Sequence, residues 1–69
     1  MKRWTIRVGE VEHQGDVDLT MRQIQKAGGT NIKCESSDFD TETGVFSFDH
    51  TIQEKRELRD ALDDAEVCL

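Results

Sequence analysis

Strict alternation at the start of the chain fixes more than any other feature: Trp4, Ile6 and Val8 share one face of residues 3–8, and Arg3, Thr5 and Arg7 share the other. This is the pattern of a half-buried strand, which needs a partner layer for its apolar face. A second alternating stretch places Ile32 and Cys34 opposite Lys33 and Glu35, and a third puts Phe46 and Phe48 on a common face. Between these two lies a run of turn formers from Ser36 to Gly44, which predicts a β-hairpin with a loop of several residues.

Two helices fill the remaining chain. Residues 9–16 are polar with two glycines and read as a loop ending in a helix N-cap at Asp16 or Asp18. Val17, Met21, Ile24 and Gly28 follow one helix face, Leu19 falls outside that stripe, and Gly28-Gly29 ends the helix with a left-handed cap. Thr51-Ile52-Gln53-Glu54 has the form of a capping box, and Ile52, Leu58, Ala61, Leu62 and Ala65 supply a second buried stripe. Glu66–Leu69 reads as a short closing edge strand.

The order strand, helix, strand, strand, helix, strand predicts an α+β domain. With right-handed crossovers and a central hairpin, the expected architecture is a ferredoxin-like βαββαβ fold: a four-stranded antiparallel sheet, order 4-1-3-2, with both helices on one face. The absence of proline and of any linker-like stretch makes residues 1–69 one domain. In length and element order the chain resembles heavy-metal-associated domains and ACT-type regulatory domains. The metal-binding Cys-x-x-Cys of the former belongs between the first strand and first helix, where this chain has Glu10, Glu12, His13, Asp16 and Asp18. The resemblance therefore implies the fold, and a small ligand or divalent ion near that loop is the alternative function it leaves.

Other chemistry is sparse. Asp38, Asp40, Glu42 and Asp49 are spaced somewhat like a calcium loop, but Thr43 stands where such a loop has its glycine. No phosphate loop is present, because Gly28-Gly29 follows a helix and no Gly-Lys-Ser/Thr occurs. His13 and His50 belong at opposite ends of the sheet, and Cys34 and Cys68 on opposite edges, too far apart for a disulfide. Cys34 is expected to be buried and Cys68 exposed. A non-enzyme with no cofactor and no metal is the expectation. The chain lacks an apolar run long enough to span a bilayer and lacks a secretory leader, so it reads as cytoplasmic, with reduced thiols.

Charge is what remains. The 69 residues carry fifteen acids against nine bases, a formal net charge of −6. A domain this short buries only about 60% of its unfolded surface, which leaves little room for an enclosed pocket. The expected topology puts the loop after the first strand, the hairpin and the turn after the second helix at one end of the sheet. Glu12, Asp16, Asp18, Asp38, Asp40, Glu42, Asp63 and Asp64 are thus the candidate contact residues, while Lys2, Arg3, Lys26, Lys33, Lys55 and Arg56 gather at the other end. Such an acidic pole repels phosphate backbones and suits a protein whose basic surface handles nucleic acid. The open sheet face, with Arg3, Thr5, Arg7, Lys33, Glu35 and Ser47, offers no aromatic platform for bases.

The expected function is a non-enzymatic binding protein, monomeric or weakly dimeric, that blocks a basic nucleic-acid-handling partner without touching nucleic acid or membrane itself. In size, acidity and lack of motifs the chain resembles small phage inhibitors such as anti-CRISPR proteins.

Overall fold

The computed structural model describes residues 1–63, 67 and 68. Its elements are β1 (Lys2–Val8), α1 (Gln14–Lys26), β2 (Thr30–Asp38), β3 (Thr43–His50), α2 (Lys55–Ala61) and β4 (Val67–Cys68). β1 pairs antiparallel with β3 along its whole length, from Lys2 opposite His50 to Val8 opposite Gly44. β2 pairs with the other side of β3.

The expected four-stranded ferredoxin-like sheet is corrected here. Three full-length strands make the antiparallel sheet, in the order 1-3-2, and among the described residues the fourth position is filled by Val67 and Cys68, which meet Val8 and Arg7. The class remains α+β with two helices. Of the described residues in the segment expected to close the sheet, Val67 is half-buried and packs against the core. Ala65, Glu66, Leu69 and the candidate contact Asp64 lie outside the described residues.

One core holds the molecule together. Trp4, Ile6 and Val8 of β1 meet Phe46 and Phe48 of β3, Val17 and Ile24 of α1, and Leu58 and Leu62 from the second helical region, all buried. Val11, in the loop after β1, joins them. Leu19 is 50% exposed and contributes nothing to this packing.

Helix starts differ from expectation in instructive ways. α1 is capped at His13, whose extended backbone (φ −157°, ψ 175°) precedes Gln14, and not at Asp16 or Asp18. Asp16 lies within the first turn and reaches back, its Oδ2 accepting the Glu12 N–H at 3.0 Å. That satisfies a backbone donor and puts a carboxylate at the positive end of the helix. The box expected at Thr51–Glu54 does not form: α2 begins at Lys55, with Glu54 as an extended N-cap. Residue 52 is otherwise engaged, its N–H donating to His50 Nδ1 at 3.0 Å and its carbonyl accepting from Trp4 Nε1 at 3.0 Å. These two bonds keep the segment out of the helix.

β2 is longer than its alternation suggested, and the hairpin loop correspondingly tighter. Ser36, Ser37 and Asp38 pair with Val45, Gly44 and Thr43, leaving Phe39–Glu42 to make the turn. Asp38 Oδ1 accepts the N–H groups of Asp40 and Thr41 at 3.0 and 3.4 Å, an Asx turn that folds the chain back. Register shifts in β2 fall between Thr30 and Lys33 and between Cys34 and Ser36. The first is a bulge around Asn31, whose φ of 50° lies in the left-handed region. Cys34 is half-buried on this strand and not fully enclosed, and the side chain of Cys68 is not described.

Candidate functional site: an acidic pole

Two segments of the acidic end are physically joined. The loop after β1 turns at Glu10 (φ 59°), and the next residue, Val11, donates its N–H to the Glu42 carbonyl at 2.9 Å. Glu42 is itself left-handed (φ 56°) and closes the hairpin turn, its N–H reaching the Phe39 carbonyl at 3.3 Å. Burial of Val11 in the core drives the loop inward, while Gly44 leaves room for the Phe46 ring beside it. A Cβ at Gly44 would lie 2.9 Å from Phe46 Cε1 and 3.6 Å from Val11 Cγ2. The sequence pattern placed both segments at one end of the sheet but gave no sign of the bond between them.

The candidate residues divide by what their carboxylates already hold. Asp16 and Asp38 bind backbone N–H groups, and Asp16 also lies 3.6 Å from His13 Nε2. Both therefore shape the backbone that presents the other acids. Asp18 is exposed and accepts only a long bond, 3.5 Å, from Gln14 Nε2. Glu12, Asp40, Glu42 and Asp63 are exposed, and among the described residues their carboxylates have no basic partner. Glu10 belongs with them. Phe39, between Asp38 and Asp40 at the hairpin tip, is 41% exposed and adds an apolar contact to this end, one that charge counting missed.

At the opposite end Arg3 and Asp49 are paired within the molecule. Arg3 Nη1 donates to the Asn31 carbonyl at 2.8 Å and lies 3.3 Å from Asp49 Oδ1, while Asn31 Nδ2 donates to Asp49 Oδ2 at 2.8 Å. The Asn31 amide first, and the Arg3 guanidinium after it, hold the Asp49 carboxyl below its ordinary value. Arg3 Nη2 also donates to Ser47 Oγ at 2.8 Å, and Ser47 passes its hydrogen to Glu35 Oε1 at 2.6 Å. Ser47, expected to be open on the sheet face, is thus only 4% exposed beneath Arg3 and Glu35. The sheet face is a cross-strand polar lattice.

Among the described residues no group of three or more His, Cys, Asp or Glu side chains could hold a metal ion. Described clefts lie away from the β1–α1 loop where the ligand-binding alternative would place its site. One of about 600 Å³ lies between α1 and β2, lined by Met21, Arg22, Gly28 and Ile32. Another of about 670 Å³ opens between Lys2 and residues 53–57. No helix among the described residues is long and apolar enough to cross a membrane. No family model, curated protein or solved structure matches this chain.

Proposed function

We propose that the protein is a non-enzymatic binding domain whose acidic pole docks on the basic surface of a nucleic-acid-handling protein and blocks it. The observation that supports this is the Val11–Glu42 bond, which fastens the Glu10–Glu12 loop to the Asp38–Glu42 hairpin. Exposed carboxylates without basic partners on two tied segments make a field of one sign on a rigid base. Such a field raises the association rate with a basic partner and repels competing polyanions. Phe39 supplies the kind of aromatic anchor around which interface energy concentrates.

Two features of the backbone favour this reading over acids placed only for solubility. Glu10 and Glu42 both occupy left-handed conformations that glycine or asparagine adopts at lower cost, so the acid side chains stand there against local preference. Solubility alone does not require an acid at a strained position.

The test compares the wild-type chain with a Glu12→Lys, Asp40→Lys, Glu42→Lys variant as bait in lysate at low and high salt. The expected result is a partner that the wild type retains at low salt, that duplex nucleic acid displaces, and that the variant loses. Retention of the same partner by the variant, or indifference of the complex to competing nucleic acid, overturns the proposal.

A further inference from the structure

β2 ends the sheet. The strand order runs from β2 through β3 and β1 to β4, so among the described residues β3 is the one strand beside β2. All nine residues of β2 are described, and seven of them, Lys33 and Glu35 included, are exposed. Ile32 and Cys34 pack against the core, whereas Lys33 and Glu35 lie together on the open face, Lys33 Nζ 4.0 Å from Glu35 Oε2. A terminal strand accepts a further strand where charge and register allow it.

The order of charges along β2 decides what fits. Directly opposite residues of neighbouring strands share a face of the sheet, so Lys33 and Glu35 meet side chains from the open face of any added strand. A peptide of one sign attracts one of these two and repels the other. A second copy of β2, related by a two-fold axis at Cys34, sets Lys33 opposite Glu35 of the copy and Glu35 opposite its Lys33. A register shifted by two residues brings Lys33 against Lys33 in one direction and Glu35 against Glu35 in the other. At the strand ends Asp38 meets Thr30, so the favoured register opposes no like charges.

Glu35 is suited to this pairing. The register shift between Cys34 and Ser36 leaves it without a partner in β3, as the extra residue of a bulge. Its Oε1 accepts from Ser47 Oγ at 2.6 Å, while Oε2 is too far from Lys33 for a hydrogen bond and has room for a second lysine. This shift and the one between Thr30 and Lys33 confine regular pairing to a short stretch, which makes the contact weak.

We propose that β2 pairs antiparallel with β2 of a second copy about a two-fold axis at Cys34, joining the two sheets into one. Lys33 and Glu35 of both copies form a ring of four alternating charges on the open face. The two Cys34 residues stand opposite each other on the helix side, with Cα atoms about 4.5–5.5 Å apart. Because the strands run in opposite directions, the two hairpin tips, and with them the acidic poles, point away from each other. The contact does not use the carboxylates of the pole, so the two proposals fail or stand independently.

The test mixes two charge-reversed chains. Lys33→Glu sets acids at both 33 and 35, and Glu35→Lys sets bases at both, so each variant alone opposes like charges while the two together restore both unlike pairs. Sedimentation at low salt over the micromolar to millimolar range should show the wild type associating with concentration. Each variant alone should associate about tenfold more weakly, two cross-strand pairs being lost at once, and a one-to-one mixture should recover the association. A second measurement leaves the charges unchanged: a Cys68→Ser chain is treated with diamide, which takes up two electrons and two protons as two Cys34 thiols join in one disulfide. Opposed Cα atoms at the expected spacing lie within disulfide reach, so the folded chain should cross-link faster than the same chain in urea. A wild type that stays monomeric throughout, a mixture no more associated than its components, or cross-linking no faster in the folded chain would each overturn the proposal.

Discussion

His50 Nε2 donates to the Ala27 carbonyl across 2.8 Å, fastening the last residue of β3 to the C-cap of α1. The other ring nitrogen accepts the Ile52 N–H, which defines the neutral tautomer with hydrogen on Nε2. One buried imidazole thus joins the sheet, the end of the first helix and the approach to the second. Replacing it with alanine leaves two backbone groups without partners inside the fold. The expected cost is about 2–4 kcal/mol, from one to two kcal/mol for each group, read as a lowered midpoint in urea with an unchanged slope. A midpoint within experimental error of the wild type would show that water replaces the ring without loss.

Gly29 is closed to any side chain. A Cβ there would stand 2.5 Å from Ile24 Cγ2, 3.0 Å from the Ile24 carbonyl oxygen and 3.2 Å from Phe48 Cδ2. The carbonyl belongs to the backbone of α1 and accepts the Gly29 N–H at 2.9 Å, so it cannot withdraw. Gly29→Ala should destabilise by about 1–3 kcal/mol, the usual range for overpacking. Thermal unfolding distinguishes this from Gly15→Ala, whose nearest neighbours are the flexible ring atoms of His13.

Asp49 gives a pH dependence with a definite sign. Its carboxyl is held below the ordinary value, mainly by the Asn31 amide and then by Arg3, so the folded state favours the charged form. Its contribution is therefore complete above the ordinary aspartate range, about pH 4, and is lost as the pH falls through the lower folded value. The stability difference between wild type and Asp49→Asn should be constant from neutral pH down to the ordinary aspartate range, shrink as the pH falls from there through the lower folded value, and level off below it. A difference that instead shrinks between pH 8 and 6 would assign the effect to another group.

The strands announced themselves because alternation is a property of single residues: Trp4, Ile6 and Val8 are buried and Thr5 and Arg7 exposed, as their phase requires. Helix starts were harder to read because they depend on bonds to distant residues. Thr51 loses its expected role when Trp4 and His50 claim Ile52, a contact across 48 residues in one case. Of the expected fourth strand the described residues show the pairs of Val67 and Cys68 with Val8 and Arg7. Within the candidate site, the expected order of the elements put the acidic segments at one end, whereas the Val11–Glu42 bond, the backbone duties of Asp16 and Asp38, and the exposure of Phe39 are tertiary facts.

Glu42 provides a direct opposition between stability and binding. Its φ of 56° is one that glycine adopts freely, so Glu42→Gly should leave stability unchanged or raise it by about 0.5–1 kcal/mol. The same change removes a carboxylate from the pole and should weaken the partner complex. Loss of stability together with undiminished binding would reverse both parts of this expectation.

Zero-length carbodiimide cross-linking of the captured complex tests the acidic-pole proposal most directly, because it joins carboxylates only to amines in contact. The account predicts links from Glu12, Asp40 and Glu42 to lysines of the partner, suppressed by competing duplex nucleic acid. Links confined to Glu54 and Glu57 at the opposite end, with the pole unmodified by contact, would contradict it.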